Sequence, residues 1–263
     1  MAEPVILTEL DGRGVASVTL NRVEVHNAYN GELIDALSRG LQELSKDVRV
    51  RVLVLRANGK HFQAGADINW LKSAASFDAQ QNIDFSKRTI DAIRLLDEFP
   101  CPSVALVQGA CYGGGIGMVA ACDIALATES AIFALTEVRI GVLPAPIAPQ
   151  LTAAIGVRAF RRYGLSGERF NAAEAHRIGI IHEVCADGAL DKAVAPILEN
   201  LLLGGPRALV ASKKLIAEIG ETGTDDDFAE RLASLAATTR MSDEAAEGLS
   251  AFLDKRRPAW CSD

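Results

Sequence analysis

Gly109-Ala110-Cys111-Tyr112-Gly113-Gly114-Gly115-Ile116-Gly117 is the stretch on which the fold turns. Four of the five positions from Gly113 to Gly117 are glycine, and each glycine inside a helix costs about 1 kcal/mol relative to alanine. Val119-Ala120-Ala121 follows, so the segment reads as the start of a small-residue, buried helix that keeps its glycines for a reason. One reason is a ligand lying against the first turn, with amides and the helix dipole facing developing negative charge. The other is close packing of backbone on backbone. The spacing is not the G-x-G-x-x-G of a dinucleotide loop, and no Gly-Lys-Ser/Thr follows, so a phosphate P-loop fails as well.

Two flanking segments have a similar character. Upstream, His61-Phe62-Gln63-Ala64-Gly65-Ala66-Asp67-Ile68 follows a strand pattern and precedes a helical one with Trp70 and Leu71. Small residues at Ala64, Gly65 and Ala66 let a ligand approach the backbone, and amides at a helix start are free to donate. An ordinary strand-to-helix turn capped by Asp67 fits the same residues. Downstream, Phe133-Ala134-Leu135-Thr136-Glu137-Val138-Arg139-Ile140-Gly141 sets Glu137 among apolar neighbours after a strand. A carboxyl there has a raised pKa and exchanges protons near neutrality; a solvated loop acid or a partner for Arg139 is the alternative.

Working outward, Val5 to Leu10 and Val15 to Leu20, separated by Asp11-Gly12-Arg13-Gly14, predict a hairpin. Leu33, Ile34, Leu37, Leu41 and Leu44 form a helical stripe over 30–44. Val50 to Ala57 reads as a strand with Val52 and Val54 on one face and Leu53 and Leu55 on the other. A helix over 78–98, with Ile83, Ile90, Ile93 and Leu96 at helical spacing, a strand over 104–108 and strands at 124–127 and 131–134 follow. Beyond Pro146 the pattern is mostly helical: 146–155, 157–164, 171–177, 188–203, 207–220, 225–239 and 243–253. The break at Asn200-Leu201-Leu202-Leu203-Gly204-Gly205-Pro206 divides a core, residues 1–205, from a helical C-terminal region, 206–263.

The bulk properties bound the function. A chain of 263 residues buries a sizeable core. Its net charge of -7, without a basic stretch interleaved with aromatics, argues against nucleic acid. No apolar run spans a bilayer and Met1-Ala2-Glu3-Pro4 is not a signal peptide, so no membrane is expected and a cytoplasmic location is. The odd set Cys101, Cys111, Cys122, Cys185 and Cys261 contains no C-x-x-C pair and reads as reduced thiols. His26, His61, His176 and His182 lack metal-ligand spacing, so no metal is expected.

Together, A-G-A-D-I at Ala64 to Ile68, the glycine run and F-A-x-x-E-x-x-x-G at Phe133 to Gly141 resemble the crotonase (enoyl-CoA hydratase/isomerase) superfamily. Leu20-Asn21-Arg22, Asn27-Ala28, Ala121-Cys122-Asp123-Ile124-Ala125 and Phe252-Leu253-Asp254-Lys255-Arg256 extend the resemblance along the whole chain. Within it, Trp70, the stretch from Glu137 to Pro149 and Arg161-Arg162-Tyr163 look most like bacterial 3-methylglutaconyl-CoA or isohexenylglutaconyl-CoA hydratases.

The resemblance implies an α/β fold, the crotonase-type ββα spiral, with a helical C-terminal region that mediates trimerisation, commonly as a dimer of trimers. It implies an acyl-CoA thioester as substrate and no separate cofactor. The oxyanion hole falls on the amides of Ala66 and Gly114, where small residues let an enolate oxygen reach two donors. CoA and substrate binding fall on Val25, Ala64, Asp67, Ile68 and Tyr112, and Lys255 matches a lysine that reaches CoA phosphates, often from a neighbouring subunit. Of the two acids of paired-carboxylate hydratases, the second falls on Glu137 and the first on Gly117, which has no side chain to offer. Gly117 lies three residues after Gly114 and so on the same helix face, which places it at the substrate site. The expected activity is hydration of a 2-enoyl thioester with Glu137 as acid/base. A single-carboxylate isomerase and a catalytically silent CoA-binding protein are the alternatives.

Overall fold

The computed structural model describes residues 3–221 and 226–261. The elements run β1 (Ile6–Leu10), β2 (Val15–Leu20), α1 (Gly31–Leu44), β3 (Val52–Ala57), α2 (Ile68–Ser73), α3 (Ala79–Asp97), β4 (Ser103–Val107), β5 (Ala110–Tyr112), α4 (Gly114–Ala120), β6 (Ile124–Thr128) and β7 (Ile132–Ala134). The second part holds α5 (Ala148–Ser166), β8 (Phe170–Asn171), α6 (Ala172–Ile178), β9 (Glu183–Cys185), α7 (Leu190–Leu203), α8 (Pro206–Glu221), α9 (Asp226–Arg240) and α10 (Asp243–Leu253).

The larger sheet has the order β1-β2-β3-β4-β6-β9. Its first pair is the predicted antiparallel hairpin, and every later pair is parallel. Parallel strands covered on both faces need apolar residues on both, and β3 supplies them. Leu53 and Leu55 enter the main core with Leu33, Leu37 and Phe62. Val52 and Val54 enter a second core beneath α7, with Val104, Leu106, Leu126 and Leu198. α1 shows how the sequence fixes an element locally. Asn30 accepts from the Leu33 amide at the N-terminus, and Leu33, Ile34, Leu37 and Leu41 turn inward. Each such side chain contributes about 1.5–3 kcal/mol of burial as an upper estimate.

A second, smaller sheet has the order β5-β7-β8. Its strands β5 and β8 and the edge strand β9 have two or three residues each, too short to show a sequence period, and none is expected from the sequence. The predicted break between 155 and 157 is present: α5 leaves the helical region at Gly156, with φ 68 and ψ 161. α3 departs from its predicted stripe. Ile93 and Leu96 are buried, but Ile83 and Ile90 are exposed.

The C-terminal helices are tethered to the core by polar contacts. The Arg51 guanidinium donates to the carbonyls of Leu202, Gly204 and Trp260 at 3.2, 2.7 and 2.9 Å. Lys213 on α8 pairs with Asp123 at 2.7 Å. Among the described residues no single helix is long and apolar enough to cross a membrane.

Candidate active site

Between α2, α3, the start of α4 and the chain from Thr136 to Ile147 lies a cleft of about 480 Å³. The three segments singled out in the sequence meet there, and hydrogen bonds show how. The 61–68 segment pairs parallel with β5 through Gln63 and Cys111: Phe62 N–H donates to the Gln108 carbonyl, Gln63 N–H to Ala110 and Tyr112 N–H to Gln63, at 2.8, 3.0 and 2.8 Å. The buried Gln63 side chain then folds back on Gly65, accepting from its amide at 2.8 Å and donating to its carbonyl at 3.0 Å. That holds Gly65-Ala66 in one conformation. A Cβ on Gly115 would lie 2.6 Å from Gln63 Oε1, so this glycine lets the loop seat on the helix.

Ala66 and Gly114 both line the cleft. Neither amide donates to a protein acceptor among the described residues, although the amides around them do: Asp67 to Tyr29, Gly113 to Ala134. Two unpartnered N–H groups facing one cleft are what a developing oxyanion needs. The turn that frees the second is made by Gly113, at φ 50 and ψ -119, a conformation that side chains disfavour.

Glu137 opens a 3-10 turn, Glu137–Ile140, after β7. Its carboxyl faces Gly113 so closely that a Cβ there would lie 2.8 Å from Oε1. Oε2 is buried with no hydrogen-bond partner. Burial therefore raises the Glu137 pKa, and only its own backbone amide opposes the shift. The alternative of a partner for Arg139 is not what the structure shows.

The raised pKa has a consequence for stability. A carboxyl whose pKa is higher in the folded than in the unfolded chain favours folding at low pH, and that contribution is lost as pH rises through the folded value. Glu137→Gln should therefore raise Tm in neutral and mildly alkaline buffer, with the gap closing in mildly acidic buffer. A variant that melts lower than the parent at neutral pH would contradict the unpaired, desolvated carboxylate.

The binding residues expected from the sequence divide. Ala64 and Ile68 line the cleft. Val25 is half-buried in a 3-10 turn, Val23–Val25, beside His26, whose carbonyl accepts from Ala64 N–H at 3.0 Å. The Asp67 carboxylate caps α2 through Asn69 and Trp70 and pairs with Arg22 at 3.4 Å, and its backbone N–H donates to the Tyr29 carbonyl at 2.8 Å. Lys255 is exposed beyond α10 and does not line the cleft of its own chain.

Two expectations need correction. Tyr112 does not line the cleft; its ring lies in a separate depression with Lys60, His61 and Gln108, under Arg169 at 5.8 Å. Gly117 is also shut off from the cleft. A Cβ there would fall 2.0 Å from Ile147 Cγ2, and Ile147 is the residue that lines the cleft at that point. Helix periodicity put Gly117 on the right face, but the 3-10 turn Ala145–Ile147 covers it.

Several cleft residues carry little sequence signal. Tyr29, just before the Asn30 cap, packs on Gly114. Trp70 stacks on Phe85 with ring centroids 4.0 Å apart, and Thr89 and Ile90 line the same α3 wall. No Lys or Arg lines the cleft among the described residues. Arg162 and Tyr163 of the Arg161-Arg162-Tyr163 motif are engaged elsewhere: Tyr163 hydrogen-bonds Glu174, and Arg162 pairs with Glu168 at 2.7 Å. Among the described residues no group of three or more His, Cys, Asp or Glu is placed to hold a metal ion.

Comparison with known proteins bears on this arrangement. Residues 11–263 match the family model described as enoyl-CoA hydratase/isomerase. The crystal structure of an enoyl-CoA hydratase from Shewanella pealeana superimposes with a TM-score of 0.94 at 38% identity, covering 97% of this chain and 96% of that one. The 2,3-dehydroadipyl-CoA hydratase of Escherichia coli is 30% identical over 247 residues, 93% of this chain and 94% of that protein. The trans-2-decenoyl-acyl-carrier-protein isomerase of Streptococcus mutans is 29% identical over 255 residues, 96% of each.

Proposed function

The chain belongs to the enoyl-CoA hydratase/isomerase family, with its crotonase-type α/β fold, and on that premise we propose that it hydrates a 2-enoyl-CoA thioester. The observation that carries the reading is the buried, unpartnered Glu137 carboxyl in one cleft with the free amides of Ala66 and Gly114. The thioester carbonyl oxygen accepts from both amides. Glu137 takes a proton from water as the water oxygen bonds to the β-carbon, and the double-bond electrons move onto the carbonyl oxygen. The enolate collapses as Glu137 returns the proton to the α-carbon. Its raised pKa suits a group that must hold that proton between the two steps.

Ile147 over Gly117 favours a second reading. With an apolar side chain where paired-carboxylate hydratases keep an acid, the one carboxyl is also sufficient to shift a double bond, as an isomerase does.

For the acyl group we propose a branched ester of the 3-methylglutaconyl type. The Glu137 to Pro149 stretch supports it through the sequence resemblance. Away from Glu137, the cleft offers a distal carboxylate the neutral hydroxyls of Thr89 and Thr136. A trimer, with Lys255 reaching a neighbour's CoA, belongs to the same proposal. The exposed Leu143, Val157 and Leu165 around an apolar groove of about 320 Å³ support a covered face. The test is incubation with 2-enoyl-, 3-enoyl- and methylglutaconyl-CoA esters and product identification by mass. Hydrated products from the 2-enoyl and methylglutaconyl esters are expected. Conversion of 3-enoyl esters alone, without mass change, would replace the hydratase reading by the isomerase one.

A further inference from the structure

Tyr29 touches both halves of the amide pair. Its N–H donates to the Gly65 carbonyl at 3.0 Å and its carbonyl accepts from Asp67 N–H at 2.8 Å, so its backbone brackets Ala66. Its ring lies against Gly114, where a Cβ would fall 2.5 Å from Cε1 and 3.2 Å from the hydroxyl oxygen. Edge-on contact with Trp70, at a centroid distance of 5.7 Å, fixes the ring from the other side.

The residue is only 9% exposed, yet its hydroxyl has no hydrogen-bond partner among the described residues. Buried tyrosine hydroxyls usually find one. What exposure Tyr29 keeps is toward the cleft it lines, so its partner is whatever the cleft holds. Burial, and then the charge of Glu137, raise the phenol pKa, which keeps it neutral and able both to donate and to accept. Glu137 Oε2 is a buried, unpartnered oxygen lining the same cleft, while Ile147 closes the position over Gly117.

A water that adds to the β-carbon has two hydrogens to place. Glu137 accepts one, and Gly117 offers nothing for the other. We propose that the Tyr29 hydroxyl is a catalytic group that accepts the second hydrogen of the attacking water and so aims the water's lone pair at the β-carbon. This rests on the hydratase reading. Tyr29 keeps its own proton throughout; the one transferred proton passes from water to Glu137 and on to the α-carbon.

The test is Tyr29→Phe, which retains ring and backbone, read by two reactions. Hydration of a 2-enoyl-CoA needs the aimed water. Exchange of the α-hydrogens of butyryl-CoA in D2O needs Glu137 and the two amides but adds no water. The expected result is a fall in hydration kcat of about tenfold to a hundredfold with KM nearly unchanged, and exchange at the parent's rate. Equal loss in both reactions would mean that the hydroxyl serves the enolate, and no loss in either would mean that it is idle; both overturn the proposal. If the parent exchanges α-hydrogens but hydrates no enoyl ester, the hydratase reading itself fails and the water-aiming role falls with it.

Discussion

Replacing Glu137 by glutamine should lower turnover about a hundredfold to ten-thousandfold, the usual contribution of a positioned general acid or base. Binding of a CoA thioester should be nearly unchanged. The structure gives the reason for the size of the effect. Oε2 is buried and unpartnered, and glutamine fills the same space with a group that neither takes a proton from water nor returns it to the α-carbon. The neighbouring hydroxyls of Tyr29 and Thr136 are far weaker acids and bases near neutrality. Steady-state kinetics on a 2-enoyl-CoA, with product affinity measured by calorimetry, separates the two quantities. Retention of most of the turnover would remove Glu137 from the chemistry, whatever its burial.

A comparable loss is expected from Gly113→Ala, although the added methyl touches no substrate. Gly113 is held at φ 50 and ψ -119, where a side chain adds strain of about 1–3 kcal/mol. The new Cβ would also lie 2.8 Å from Glu137 Oε1. Both conflicts are relieved by moving the carboxyl away and tilting the first turn of α4, which carries the Gly114 amide. Loss of one oxyanion donor alone costs about a hundredfold to a thousandfold in kcat, so kcat/KM should fall at least that far. A thermal melt shows whether the variant remains folded. A folded Gly113→Ala protein with normal kcat/KM would separate the Gly113 turn from catalysis.

β3 was legible down to its faces, because alternate residues of a buried strand belong to different cores: Leu53 and Leu55 to one, Val52 and Val54 to the other. The glycines of the 109–117 run were legible as a demand for close approach, and Gln63, Tyr29 and Glu137 prove to be the groups that approach. β5, β8 and β9 were not legible: Ala110-Cys111-Tyr112, Phe170-Asn171 and Glu183-Val184-Cys185 lack the β-branched and aromatic pairing, Ile132-Phe133, that marks the equally short β7. Gly117 shows a different limit. Spacing along one helix gives the face a residue occupies, but not what another segment lays over it, and Ile147 comes from a turn 30 positions away. An acid introduced at Gly117 would therefore have to displace Ile147 before it could act. Tyr112 was placed by the resemblance, and it lies in the other depression rather than in this cleft. Tyr29 gave no warning in sequence, since a single aromatic before a helix cap is ordinary; its position is set by backbone pairing with 65–67.

One carboxyl, with two amides holding the thioester oxygen, is expected to add water across the double bond. Reaction of a 2-enoyl-CoA in oxygen-18 water, followed by mass spectrometry, tests it most directly. The expected product is heavier than the substrate by one labelled water, with the label on the β-carbon, formed by the parent and lost with Glu137→Gln. A product of unchanged mass with a shifted double bond, or label incorporation that survives Glu137→Gln, would contradict it.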